Sequence, residues 1–589
     1  MANVKCRMSN VEWRMSNKGR LRLGLAGTAC AALLAVGACQ RPAPQWLAYG
    51  RQCMVASDSA EASAAGLEML EAGGNAIDAA AAVSFALGVT RPYSTGIGGG
   101  GFLIARTANG RVYVFDYRET APAKARPDMY VRGDDGGPVA EHASRDGHLA
   151  VAVPGLVAGR RAVLEELGTL PWARTLQPAI RLARDGFLID RHFTDAAEEA
   201  LKRYRTDSSL TASCPYVYRT YLNGGELFPV GHRLRQPALA KLLEALASEG
   251  PGLMTRGRVA EAIEREMAAH GGVVRAADLR NYEVLRREPI GATYRGYDII
   301  TMPPPSSGGV AIAQTLNVLE RFNLRAVRRR SQGRADHVIV EAFKHAFADR
   351  ARHLADADFA PVPAALLTSK AYAGGLVIDE ESAPQRPPGA YGTSQVSDDA
   401  GTSHYSIVDR WGNVVVGTET INTEFGSLAA VEEWGLVLNN EMDDFTSRPG
   451  EPNAYGLIQS DRNAPQPGKR PLSSMSPTIV LKKDKPVLML GASGGPRIIT
   501  SVLHVMINVL DYRMSLEDAM TAPRPHHQWQ PDVLYFDQAP PDPLAVDLRS
   551  RGYEIADERK TGIVQAILRR LGGWAGASDP RKGGRPAGR

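Results

Sequence analysis

The junction at residue 401 constrains this chain more than any other feature, because an irregular linker runs there straight into a strand pair. Residues 379–401, DEESAPQRPPGAYGTSQVSDDAG, are dense in Pro, Gly, Ser and acidic side chains and have no apolar period. HYSIV, a DRWGN turn and VVVGTETI follow at once and predict a β-hairpin centred on Trp411. In that register Val408 pairs with Val414, and Thr402 falls opposite Thr420. Directly opposed side chains lie about 5 Å apart at Cβ, so two hydroxyls meet at the strand start. Taken alone, such a pair is an ordinary cross-strand contact. Gly401 adds to it, because glycine lets the backbone bend far enough for a threonine hydroxyl to reach the carbonyl before it. Scission there would free the α-amine of Thr402, which can act as base for its own hydroxyl.

The formal charge of the 589 residues is +5, which raises the question of nucleic-acid binding. Six basic residues (Lys5, Arg7, Arg14, Lys18, Arg20, Arg22) against Glu12 place a net +5 within residues 1–38, so the remainder is neutral. A nucleic-acid partner is therefore not expected. The same basic stretch precedes the uncharged run Leu23–Ala38, which ends in VGAC. This layout predicts a signal peptide over 1–38. It resembles a bacterial lipoprotein signal with Cys39 as the lipidated residue, and an ordinary secretory signal is the alternative. Met15 is an alternative start. No later stretch has 18 consecutive apolar residues, so membrane contact is expected only through a lipid on Cys39. Of the five cysteines, Cys6 and Cys30 would leave with the signal, and the spacing of Cys53 and Cys214 does not decide whether they pair; inert thiols are the simpler expectation.

Ala60–Val89 reads as two helices separated by Gly73-Gly74. Gly96, Gly98 and Gly101 satisfy GxGxxG in form, but a strand-like Phe102–Ala105 follows where a dinucleotide site needs a helix. Close backbone approach is the better reading of those glycines. Helices are predicted at Ala238–Leu246, Val259–Ala269, Val310–Phe322 and Pro496–Leu510, with strands at Gly435–Asn439, Thr478–Leu481 and Val487–Leu490. Arg328–Arg330 reads as a solvated loop, His526-His527 as a structural turn, and the tail Arg581–Arg589 as disordered. His337, Glu341 and His345 share a helix face, but their spacing is not HExxH, so no metal is expected.

TSHYSIVDRWGNVVVGTETINTEFG, LNNEMDDF, KRPLSSMSPT and GASGGPRIIT together resemble the γ-glutamyltranspeptidase family. GGNAIDAA, GGGGF, DYRETAP, YRGY, MPPPSSGG and APRPHHQW extend the likeness from about Met54 to Arg581, in order. The resemblance implies an α/β fold, the four-layer αββα sandwich of N-terminal-nucleophile hydrolases, and no cofactor. It also implies a precursor cut between Gly401 and Thr402 into a large subunit, 39–401, and a small one, 402–589, that stay together as a heterodimer. The implied activity is γ-glutamyl transfer from glutathione or another small γ-glutamyl donor, through a Thr402 ester, to water or to an amino acid or dipeptide. The implied place is outside the cytoplasm, in the periplasm.

The chemistry of that donor can be matched to residues. Arg118, with the hydroxyls of Ser473 and Ser474, would hold the α-carboxylate. Asp444 would hold the α-ammonium, with Asn422 and Glu441 as further acceptors; many bacterial relatives have Gln at the position of Glu441. Gly494 and Gly495, in sequence a plain strand-to-helix turn, become through the resemblance an oxyanion hole of backbone N–H groups. Thr420 would orient Thr402, and Tyr455 would cover the pocket from a Pro- and Gly-rich loop. A cephalosporin acylase and a poly-γ-glutamate-processing enzyme are the rival readings within the same family.

Overall fold

The computed structural model describes residues 44–133, 136–379, 401–448, 450–457, 459–559 and 561–589. The predicted signal, Cys39 and most of the linker lie outside the described residues.

The Thr402 hairpin forms in the predicted register, with Thr402 opposite Thr420 and Val408 opposite Val414. It sits at the centre of a seven-stranded sheet. Met54–Ser57 flanks Thr402–Val408 on one side, and Gly100–Arg106 followed by Val112–Tyr117 flanks Val414–Thr420 on the other. A second seven-stranded sheet is built around Lys485–Ser493, between Thr478–Lys482 and Ile563–Arg570. The period of two along each strand then assigns the faces. Val408, Val414 and Val416 join Leu488, Leu490 and Val564 in the core between the sheets, whereas Tyr405, Ile407 and Val415 pack with Ala79, Ala82 and Val83 of a covering helix. Helices Ala60–Glu71 and Ala76–Thr90 cover the first sheet; Gly308–Leu319, Gln332–His353 and Arg497–Leu510 cover the second. The layers run α, β, β, α, as expected.

Local chemistry explains the motifs. The break at Gly73-Gly74 is followed by a capping box, in which Asn75 accepts from the N–H groups of Ile77 and Asp78 while Asp78 accepts from Asn75 N–H. The Gly98–Gly101 run lets strands press together: a Cβ on Gly99 would stand 2.0 Å from Thr420 O, and one on Gly98 2.1 Å from Val437 O. Between the sheets, His404 bonds to Thr418 and Ser406, and burial drives its pKa down to about 3, so it is a neutral spacer.

Three expectations are corrected. Arg328–Arg330 is the last turn of a helix, Leu324–Arg330, where cations meet unpaired carbonyls. The Gly435–Asn439 strand shrinks to Leu436–Val437. The tail is ordered: Arg581 pairs with Asp537 and Asp579, Ala587–Gly588 adds an edge strand to Met54–Ser57, and Lys582 reaches Asp58 at 3.2 Å. Arg581 and Lys582 are neutralised by buried acids, a pattern invisible in a basic, glycine-rich string. Cys53 and Cys214 are free and buried. His337, Glu341 and His345 do not converge on a common point: His337 bonds to Tyr553 and Asp379 O, Glu341 accepts from Tyr553, and His345 faces Val377 O.

Candidate active site

Thr402 opens its strand at the rim of the inter-sheet layer and is 4% exposed. Its hydroxyl donates to Thr420 Oγ1 at 3.2 Å. Thr420 in turn donates to Gly401 O at 2.6 Å and accepts from Asn422 N–H at 2.8 Å. One hydroxyl thus touches both the candidate nucleophile and the carbonyl of the Gly401–Thr402 peptide. Space as well as flexibility requires glycine at 401, since a Cβ there would lie 2.6 Å from both Thr423 O and Tyr93 O.

Around Thr402 lies a narrow cleft of about 20 Å³, lined by Arg118, Arg350, Thr420, Asn422, Glu441, Asp444, Tyr455, Ser473, Ser474 and Gly495 among others. Gly494, the neighbour of Gly495 in the chain, is not among the lining residues. Asn422 takes the left-handed conformation at φ 78°, which asparagine tolerates better than most residues. Its side chain donates to Asn440 O at 2.9 Å and accepts from Tyr455 O–H at 2.7 Å. The 3₁₀ turn Glu441–Asp444 brings residues three apart onto one side, so both carboxylates face Arg118. Arg118 binds Glu441 through Nη1 and Asp444 through Nη2, the latter at 2.6 Å, and its Nε donates to Pro471 O at 3.3 Å. Its two-pronged edge is thus shared with the acids expected to bind the ammonium.

The MPPPSSGG turn carries the serine segment. Ser307 donates both N–H and O–H to Ser473 O, and Ser306 O–H donates to Met475 O at 2.6 Å. Ser473 and Ser474 are held in the lining by this turn rather than by each other. Gly494 and Gly495 link strand Lys485–Ser493 to helix Arg497–Leu510 at φ 116° and 55°, in the region that favours glycine. A Cβ on Gly495 would strike the Tyr455 ring at 2.6 Å. Their N–H groups stand at a helix start, where donors lack intrahelical acceptors and the dipole attracts negative charge.

Two residues of this site were not anticipated. Arg350, from helix Gln332–His353, donates through Nε to Ser307 Oγ at 3.0 Å, while its buried Nη1 has no hydrogen-bond partner among the described residues. Burial lowers its pKa to about 10, only partly offset by Asp444. Glu119 lies with Oε2 3.7 Å from Arg118 Nη1, and burial raises its carboxyl to about 7 against the pull of that guanidinium. Burial likewise raises Glu441 and Asp444, opposed by Arg118. Three acids around one cation favour keeping a proton among them near neutral pH. Only a helical register could have hinted at Arg350, since nothing in FADRARH separates a buried arginine from an exposed one.

The family model described as Gamma-glutamyltranspeptidase matches residues 62–589. The chain is 43% identical over 537 residues to the glutathione hydrolase proenzyme of Escherichia coli (strain K12), covering 90% of each. It is 40% identical over 528 residues to the acylase ACY 1 proenzyme of Pseudomonas sp. (strain V22), covering 88% of this chain and 90% of that one. Its structure is similar to that of cephalosporin acylase from Bacillus halodurans at a TM-score of 0.80 and 27% identity, covering 93% of this chain and 98% of the other.

Proposed function

The chain belongs to the γ-glutamyltranspeptidase family, and from that premise we propose how its residues carry out the work of a γ-glutamyltransferase and glutathione hydrolase. The precursor matures at Gly401–Thr402. Thr402 Oγ attacks the Gly401 carbonyl carbon, and Thr420 O–H stabilises the oxygen that becomes negative. The peptide C–N bond breaks as its nitrogen takes a proton, leaving an ester between Gly401 and Thr402 Oγ. Water cleaves that ester, giving the Gly401 carboxylate and a Thr402 with a free α-amine. The products 39–401 and 402–589 form the heterodimer.

In the mature enzyme the α-amine accepts the proton of Thr402 O–H as Oγ attacks the donor's γ-carbonyl. The Gly494 and Gly495 N–H groups receive the oxyanion. Collapse expels the amine, cysteinylglycine when the donor is glutathione, and leaves a γ-glutamyl ester on Thr402. Water then yields glutamate; the amine of an amino acid or dipeptide yields a new γ-glutamyl amide. Asp444, Glu441 and Asn422 take the donor's ammonium. Arg118, Ser473 and Ser474 take its carboxylate, aided by Arg350, which lines the same cleft and whose buried Nη1 makes no hydrogen bond among the described residues. Tyr455 closes the cleft over Gly495.

The single observation that carries this reading is the Thr420 hydroxyl, bonded at once to Thr402 Oγ and to the carbonyl between Gly401 and Thr402. The test is N-terminal sequencing of the small chain, expected to begin with Thr402, together with Thr402→Ala, expected to remain one inactive polypeptide. A small chain beginning elsewhere, or a cut Thr402→Ala variant, refutes it. Glutaryl amides, the donors of the rival acylase reading, are a second substrate class to test, since two of the similar proteins are named acylases. The acids at Glu441 and Asp444 favour a donor with an ammonium, so turnover of glutathione should exceed that of a glutaryl amide lacking the amino group. Export through residues 1–38, with a lipid on Cys39 holding the enzyme to a membrane, completes the proposal; Cys39→Ser should lose the mass of the acyl chains.

A further inference from the structure

Helix Arg258–Ala269 ends in a cluster that the proposed reaction does not use. Glu266 and His270 are four residues apart, so their side chains leave the same side of the helix end. His148 arrives there from a distant part of the chain, on the short turn His148–Ala150. His148 Nε2 lies 2.9 Å from Glu266 Oε1, and His270 Nε2 lies 3.7 Å from the same oxygen. The two imidazoles stack with centroids 4.6 Å apart and planes 21° from parallel. One ligand atom from each of the three residues falls within 4.8 Å of the others.

A hydrogen bond accounts for His148 and Glu266. His270 is held less firmly, by an i,i+4 ionic contact to the same oxygen beyond hydrogen-bonding distance and by its stack on His148, so it is the ligand free to turn. Two imidazole nitrogens and one carboxylate oxygen around a shared point are the ligand set of a three-residue zinc site. With bonds of about 2.0–2.2 Å, tetrahedral ligand atoms stand roughly 3.4 Å apart, so the spacings suit an ion, and the exposed His270 ring must turn out of its stack on His148 for both lone pairs to meet it. The ligand chemistry argues against Ca²⁺ and Mg²⁺, which prefer sets of oxygens. His148 is buried, Glu266 half-buried and His270 exposed, which leaves the fourth position towards solvent.

We propose that His148, Glu266 and His270 form a binding site for a divalent cation of the Zn²⁺ class. The ion would tie the helix end to the segment behind the donor cleft. Ala152, just past the His148 turn, exchanges two hydrogen bonds with the Asn439 side chain, and Asn439 Oδ1 also accepts from Glu441 N–H at 3.0 Å. Leu149 packs against the cluster containing Met442 and Phe445. The cation therefore stiffens a wall of the site and takes no part in the chemistry.

The experiment is calorimetric titration of chelator-treated mature enzyme with ZnCl₂, paired with melting curves with and without Zn²⁺. Wild type should bind one ion per heterodimer and melt at a higher temperature with Zn²⁺. His270→Ala, an exposed change at a helix end, should fold and keep basal turnover while losing at least tenfold in Zn²⁺ affinity and the melting shift. Glu266→Gln should do the same. Absence of one-site binding in wild type at micromolar Zn²⁺, or equal binding and shift in His270→Ala, overturns the proposal.

Discussion

At the residue scale, Thr420 is asked to do two jobs, and substitution can separate them from packing. Thr420→Val keeps the shape and removes the hydroxyl that bonds Gly401 O. Losing one donor to a developing oxyanion costs about 10²–10³ in rate, so a time course of the purified precursor on a denaturing gel should show maturation slowed by that factor. Thr402→Ser keeps an attacking hydroxyl and should still mature. Arg350→Gln removes a charge-assisted partner of the donor carboxylate, worth about 1.5–3 kcal/mol. The expected result is a KM for a γ-glutamyl anilide raised about ten- to a hundredfold, with kcat little changed, and no such effect on a donor lacking the α-carboxylate. Glu119 supplies a pH signature. Its carboxyl is raised to about 7 in the fold, whereas the unfolded chain titrates near 4.5. Across that window the native state keeps a proton that the unfolded state has released, so stability falls as pH rises. Glu119→Gln should shrink this decline, leaving the part owed to Glu441 and Asp444, seen by comparing unfolding free energies of the two proteins at pH 5 and pH 8.

At the scale of elements, the hairpin was legible because period two, a DRWGN turn and a glycine-bounded linker all agree on one register, and that register placed Thr402 against Thr420. The helix starts and the strand-to-helix glycines were legible for the same reason: their signals are local. The electrostatics were not. Arg118 was matched to a carboxylate by its motif, but that Glu441 and Asp444 share its edge depends on strands and turns far apart in sequence. The tail shows the same limit. Composition made Arg581–Arg589 a disordered tail, yet Lys582 is buried against Asp58, whose carboxylate also accepts from the hydroxyl of Ser403 beside the nucleophile. Breaking one side of a buried pair costs about 3–5 kcal/mol because the other charge is stranded. Lys582→Met should therefore lower unfolding free energy by that order, and adding Asp58→Asn should recover part of it, a coupling that denaturant titrations of the single and double variants would measure.

At the scale of the molecule, the proposed cut does not fall between two bodies. It falls inside one sheet, where strand Thr402–Val408 from one side of the break lies beside Met54–Ser57 from the other, and Val414–Thr420 lies beside Gly100–Arg106. Buried ion pairs cross it as well: Arg160 with Glu419, and Arg118 with Glu441 and Asp444. Separating the products would expose strand edges and strand charges with no compensating contact, costs that compound with the loss of the shared apolar core. The mature enzyme should therefore elute from a sizing column in the volume of the uncut Thr402→Ala chain, at protein concentrations from micromolar to nanomolar, and part only in denaturant. Because neither piece holds either seven-stranded sheet complete, 39–401 and 402–589 expressed separately should fail to give soluble monomers. Recovery of either piece as a folded, cooperatively melting species would show that the two are independent domains and that the continuous sheet is not what keeps the heterodimer together.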